Sequence, residues 1–265
     1  VKKDKTIIKT ALEQTLVSRS RVVFRLLLSA ISLVVTILIW QAVYRANQAI
    51  ADYNLKELIT YSFLSFLLQR ISSSVHWRIS YDISTGEINN YILLPFHYLR
   101  FRFLKFCGSR LLADTFLSLP VFLVILWIYK QYILAPQNIQ SILLILILIL
   151  PLTILLNLFY TAAIGLSGFW TTEITGLFYL IGGFSRFFGG AMFPISAFPN
   201  TWQIILKALP FRYLYAFPLD VYLGRINNLQ LVLGIIVQVL WVISFYIILK
   251  IIWHFGLRRH EAYGG

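Results

Sequence analysis

Gly165-Leu166-Ser167-Gly168 sets a serine among small residues, and His254 lies far downstream in the last long apolar run. A serine within hydrogen-bond reach of a histidine is the nucleophile of acyl transfer. The same tetrapeptide serves plain helix packing, because small residues let two backbones approach closely. Packing is the simpler reading, and labelling with a fluorophosphonate separates the two. Two acids also stand out. Asp114 follows Arg110 by one helical turn and reads as its ion-pair partner. Glu173 lies between two apolar runs, where an ionised carboxylate costs at least ~2–3 kcal/mol. A structural ion pair or a place at the membrane surface explains it most simply, and contact with a substrate is the sharper alternative.

Other chemistries are excluded. No Gly-x-x-x-x-Gly-Lys-Ser/Thr occurs, and no glycine is followed by lysine, so nucleotide phosphates have no P-loop cradle. There is no His-Glu-x-x-His, and His76, His97, His254 and His260 are scattered. Cys107 is the single cysteine, which excludes an internal disulfide and a cysteine metal cage. No bound metal or cofactor is expected.

These residues sit in a chain of 265 residues that is 59% hydrophobic and 12% charged. A soluble domain carries about a quarter charged residues. SILLILILILPLTILLNLFY (141–160) is long enough to cross a bilayer, which takes roughly 20 apolar residues. The chain therefore reads as an all-α polytopic membrane protein. Six spans are expected, at 22–44, 57–75, 110–130, 140–165, 173–190 and 229–255. Residues 1–21 carry apolar and charged faces at helical spacing, as in a helix lying in the membrane interface. Nothing in the composition marks a linker or soluble domain, so 1–265 reads as a single membrane domain. The basic start runs into a segment long enough to stay as an anchor, so no cleaved leader is expected.

The net charge of +13 would point to nucleic acid in a soluble protein. Here it fits basic residues beside membrane spans and anionic lipid, so membrane lipids are expected partners and nucleic acid is not. Sixteen of the 23 Lys and Arg residues fall on the side holding the N-terminal segment, the loop after the second span and the C-terminal end. Both termini are thus expected in the cytoplasm.

The longest inside loop, 76–109, contains SYDISTGEINNYILLPFHYLRFRF (80–103). Ser84 followed by Glu87 fits a capping box, with Pro95 ending the helix. Ile88, Tyr91 and Ile92 would share one face. Such a helix suits either a docking element or an ordinary membrane-surface helix. On the other side, 193–224 reads FPISAFPNTWQIILKALPFRYLYAFPLDVYLG and holds four of the eight prolines. Proline breaks helices, and TWQIILKAL is too short to span. A re-entrant helical pair across 191–224 is expected between spans 5 and 6, its freed backbone groups buried in protein or wetted by a cavity.

On these residues the chain resembles an ABC-2 type permease, of the bacterial branch that includes multidrug-type exporters. The resemblance rests on the order of spans and on DISTGEINNYILLPFHYLRFRF. It also rests on FWTTEITGL (169–177), LPFRYLYAFP (209–218) and the tail RRHEAYGG. It implies that 80–96 is a coupling helix contacting a separate ATPase subunit, with Asp82, Ser84, Glu87, Ile88, Tyr91 and Ile92 at the contact. It places Tyr61, Phe63, Ser65, Glu173, Phe178 and Tyr179 on the substrate pathway. Pro194, Pro199, Trp202, Pro210, Phe211 and Pro218 would form an external gate. ATP and Mg would be bound by the partner ATPase, and a second permease subunit, identical or homologous, would complete a dimer in a bacterial plasma membrane. The implied activity is export of amphiphilic or cationic small molecules, or of lipids, by a chain that is no enzyme. Alternatives are a glycolipid or polysaccharide exporter, a passive channel, and an intramembrane serine protease. The last rests on the serine-then-histidine order, which resembles rhomboid-type proteases.

Overall fold

The last apolar run has no proline from Asn228 onward, and it forms the longest helix, α13 (Asn228–Tyr263). Its start is capped reciprocally: the Asn227 side-chain oxygen Oδ1 accepts from Gln230 N–H at 2.8 Å, and Gln230 Oε1 accepts from Asn227 N–H at 3.3 Å. The computed structural model describes residues 2–17, 19–46, 52–71, 75–92, 97–136, 138–171 and 175–263, and no strand occurs among them.

Helix α1 (Lys2–Val17) packs on α6 (Tyr98–Phe106) and on the π-helical stretch Cys107–Asp114 that continues it. Gly108 makes this possible, since a Cβ there would lie 2.3 Å from the Ile8 carbonyl oxygen. Arg100 reaches Asp4 of α1 at 2.7 Å. Helices α2 (Arg19–Arg45), α3 (Leu55–Ile71) and α7 (Thr115–Ile128) meet around Leu33, Ile37, Ile59, Phe63, Phe122 and Ile125. A capping box opens α3, where Asn54 and Glu57 exchange backbone-to-side-chain hydrogen bonds of 2.8 Å. Helix α8 (Ile139–Leu144) runs through the π-helical stretch Ile145–Ile149 into α9 (Leu150–Leu166). Pro151 has no N–H to give the turn before it, and the π stretch lies directly ahead.

Among the described residues, four helical stretches are long and apolar enough to cross a membrane: Leu26–Arg45, Tyr98–Ile128, Ile139–Phe169 and Asn228–Arg259. Two of the six expected spans are not among these four, and one expected boundary changes. Helices α3 and α10 (Thr175–Phe188), which carry the expected second and fifth spans, have 17 and 14 residues. The third span begins at Tyr98 rather than near 110. Its basic start looks like a loop in sequence, yet no proline follows until Pro120, and Arg102 finds a buried partner.

Between α10 and α13 the chain is broken as its prolines require. Pro194 precedes a 3₁₀ turn (Ile195–Ala197), and Pro199 precedes α11 (Asn200–Ala208). Pro210 opens a 3₁₀ helix (Pro210–Leu214), and Pro218 lies in the first turn of α12 (Ala216–Tyr222). At each place a missing N–H costs little, because first-turn donors have no partner inside the helix. Helix α11 is roughly 14 Å long at 1.5 Å per residue, so the pair of short helices cannot cross a bilayer.

Candidate functional site

Helix α4 (His76–Ser84) carries Ile79, Asp82 and Ile83 on its buried face. Gly86, at φ +73, ends it in the left-handed region that favours glycine, and α5 (Ile88–Ile92) follows at once. A carboxylate on an apolar helix face must be paired, and Asp82 is. It forms ion pairs with Arg78 at 3.1 Å and with Arg102 of α6, and it accepts a hydrogen bond from the Tyr98 hydroxyl at 2.5 Å. The side chains of Asp82 and Arg102 are 0% and 4% exposed. The Arg102 guanidinium lies 4.7 Å from the ring centre of Tyr91 of α5. Tyr98 stacks on Trp253 of α13, 5.5 Å apart and within 7° of parallel. Arg78 closes the turn by pairing with Glu87 at 2.8 Å.

Helices α4 and α5 are thus tied to the long helices by charge and stacking together. A buried pair is held by two fixed geometries at once, so α4 and α5 move with α6 and α13 or lose the pair. Alongside, the His76 ring lies against Phe178, tilted, with ring centres 4.2 Å apart. Burial, then the positive charge of Arg186, lowers its pKa to about 4, so the imidazole is neutral at physiological pH.

The expected contact residues divide. Asp82 and Ile88 are fully buried, so they position the loop from inside instead of facing a partner. Ser84 is exposed, Glu87 and Tyr91 are half-buried, and the Ile92 side chain lies outside the described residues. Ser84 caps no helix start: it is the last residue of α4, and its hydroxyl donates back to the Tyr81 carbonyl at 3.1 Å. The expected capping box is therefore absent, because Glu87 is engaged by Arg78. Pro95 lies outside the described residues.

The expected pathway residues are also separated. Tyr61 and Ser65, both 1% exposed, lie one turn apart on α3 and donate to the carbonyls of Gly190 and Ala191, at 2.5 and 2.7 Å. They hold the backbone that α10 frees where it ends at the positive-φ Gly190. Phe63 packs edge-on against Phe122 at 5.8 Å. Phe178 is buried against His76 and Trp77, Tyr179 is 72% exposed, and Glu173 lies outside the described residues. At the broken segment Trp202 is exposed and stacks on Phe188, while Phe211 meets Tyr160 edge-on at 5.7 Å. Pro194, Pro210 and Pro218 are buried and Pro199 is exposed.

The serine and histidine are not assembled. The Ser167 hydroxyl donates to the Ile164 carbonyl at 2.7 Å, and His254 is exposed with its ring against Phe255. Gly165 packs under α4, where a Cβ would come within 2.9 Å of His76 Cα. The side chains of Arg110 and Asp114 lie outside the described residues. Among the described residues no group of three or more His, Cys, Asp or Glu is placed to hold a metal ion. Arg102, Tyr98 and Trp253 escape a reading of the sequence, since nothing local marks an arginine as the partner of an acid 20 residues upstream on a different helix.

Among known protein families, the model described as ABC-2 family transporter protein matches residues 30–264. No curated protein and no solved structure matches the chain.

Proposed function

The chain belongs to the ABC-2 family of transporter proteins, and on that premise we propose that it is the permease subunit of an ATP-driven exporter in a bacterial plasma membrane. The family is a membrane component of transport, is not itself catalytic, and implies association with an ABC ATPase. ATP and Mg are then bound and turned over on that separate subunit. Helices α3 and α10 complete six crossings, with both termini in the cytoplasm.

The observation that carries coupling is the buried Asp82–Arg102 pair. A push on α4 and α5 by a closing ATPase passes through it to α6, and through Tyr98 and Trp253 to α13. Export is then a population shift between inward- and outward-facing states. The test is ATPase co-purification and substrate-stimulated hydrolysis in Glu87→Lys and Tyr91→Ala. Both should fall while the spans still fold, and unchanged values in both variants would reject the coupling role.

A second copy supplies the rest of the pathway wall. Gly176 and Gly183 on α10 have open space where a Cβ would be, and Leu180 and Phe187 on the same face are exposed. This pattern suits close approach of another helix. A cysteine at Gly183 in a Cys107→Ser background should cross-link two copies.

The cargo class follows from where polar groups are spent. Thr60 accepts from Leu134 N–H at 2.9 Å, and Ser62 accepts from Trp40 Nε1 at 2.8 Å. Ser65 serves Ala191, and Gln238 donates to Thr153 at 3.0 Å. Little remains to pair with the hydroxyls of a sugar polymer, whereas exposed aromatics such as Trp77 and Tyr179 suit amphiphilic or cationic small molecules, or lipids. ATP-dependent accumulation of a lipophilic cationic dye in inverted vesicles holding permease and ATPase is the expected result. Accumulation of a glycolipid instead, with no dye uptake, would reverse it.

A further inference from the structure

At the end of α13 remote from Trp253 lies a cavity of about 320 Å³ between α11, the Pro210–Leu214 turn, α12 and the first turns of α13. Small-ligand pockets begin at about this size. Gly234 on its wall and Trp253 at the cluster described above are roughly 28 Å apart along α13, about the thickness of a hydrocarbon core.

Three cations line this cavity, Lys207, Arg212 and Arg225, with one acid, Asp220. Arg212 meets Asp220 only at 3.6 Å. Arg225 is held by Glu57 and by the Asp52 carbonyl, with its guanidinium 3.5 Å above the Tyr53 ring. Arg212 and Arg225 each keep a buried Nε that no acceptor meets. Lys207 has no acid within ion-pair distance among the described residues. The acids Asp220 and Glu57 leave one positive charge uncompensated. The opposite wall is apolar, from Leu233, Gly234 and Val237 of the spanning helix.

We propose that this cavity binds a phosphate group, with Lys207 and Arg212 as its principal ligands and Arg225 as a fixed third charge. Two forked guanidiniums and an ammonium offer more donors than a two-oxygen carboxylate can accept, whereas phosphate presents three or four oxygens. The apolar wall admits the first carbons of a chain bearing that phosphate. Two sources share this chemistry, a lipid headgroup and free inorganic phosphate.

The test uses the full chain in neutral phosphatidylcholine nanodiscs, titrated separately with inorganic phosphate and with a short-chain phosphatidylglycerol. Lys207→Gln, at an exposed position, should weaken binding about tenfold, as loss of one charge-assisted contact does. Arg212→Gln should weaken it at least as much. Lys130→Gln, a basic residue away from the cavity, should leave it unchanged. Binding of the lipid alone identifies a headgroup site, and binding of both probes identifies a site for the phosphate itself. No binding of either probe, or equal affinity in wild type and Lys207→Gln, overturns the proposal. Binding is read directly, so the result stands whatever cargo the chain moves.

Discussion

Asp82 of α4 and Arg102 of α6 form an ion pair with both side chains shut away from solvent, at 0% and 4% exposure. Tyr98 donates to the same carboxylate, and Arg78 approaches its other oxygen. Removing one member of such a pair leaves an uncompensated buried charge, at a cost of about 3–5 kcal/mol. Arg102→Met should therefore lower the thermal unfolding midpoint of the purified protein. Adding Asp82→Asn should recover part of that loss, and strictly additive losses would show that the two side chains do not depend on each other.

Tyr61→Phe and Ser65→Ala each strip one donor from a buried backbone carbonyl, at Gly190 and Ala191. An unsatisfied buried acceptor costs about 1–3 kcal/mol. Each variant should lower the unfolding midpoint and speed maleimide labelling of a cysteine placed at Met192 in a Cys107→Ser background. A transport defect without faster labelling would return these side chains to a direct role with cargo.

Gly165→Val should separate α4 from α9, because a Cβ there would already lie 2.9 Å from His76 Cα. The expected result is poor expression or a marked drop in thermal stability. Ser167→Ala gives up only a hydrogen bond within its own helix turn, so its stability should change by less than about 1 kcal/mol. The wild-type protein should not react with a fluorophosphonate. Labelling that disappears in Ser167→Ala would revive a nucleophilic serine.

Burial raises the Asp220 carboxyl to about 6 against the opposing pull of Arg212, Arg225 and Lys207. The Tyr53 hydroxyl also faces it, 3.5 Å away, and burial holds that phenol above its ordinary value, protonated throughout the physiological range. As pH falls through about 6, Asp220 takes up a proton and the cavity loses its one negative charge. Affinity for a phosphodiester lipid, whose own charge is constant in this range, should rise from pH 7.5 to pH 5. Asp220→Asn should bind tightly at both values. A wild-type affinity independent of pH would contradict this.

Orientation is read with two single cysteines in a Cys107→Ser background. Asn138 and Asn90 are both exposed and lie on opposite sides by the charge distribution. In intact cells an impermeant maleimide should label the cysteine at 138 and not the one at 90. The reverse pattern would invert the topology.

Much of this architecture is written in local pattern. Apolar length alone marks the runs that become α13 and the α8–α9 helix, since satisfying backbone groups in lipid leaves a helix as the only open choice. The prolines at 194, 199, 210 and 218 predict corners because a missing N–H is a property of the residue itself. What tertiary structure decided are the pairings between distant positions. YLRFRF reads as a basic loop until Arg102 meets Asp82, after which it is the start of a spanning helix. Tyr61 and Ser65 read as cargo contacts on a polar helix until the chain end of α10 arrives and takes both hydroxyls. Ser84 and Glu87 have capping-box spacing, but Arg78 claims the glutamate, while the working boxes form at Asn54–Glu57 and Asn227–Gln230. The cavity draws Tyr53, Lys207, Asp220 and Gln230 from separate segments. Spacing of three or four residues governs what a helix does with itself. The desolvation that forces a charge to find its partner arises only when helices far apart in the chain close on one another.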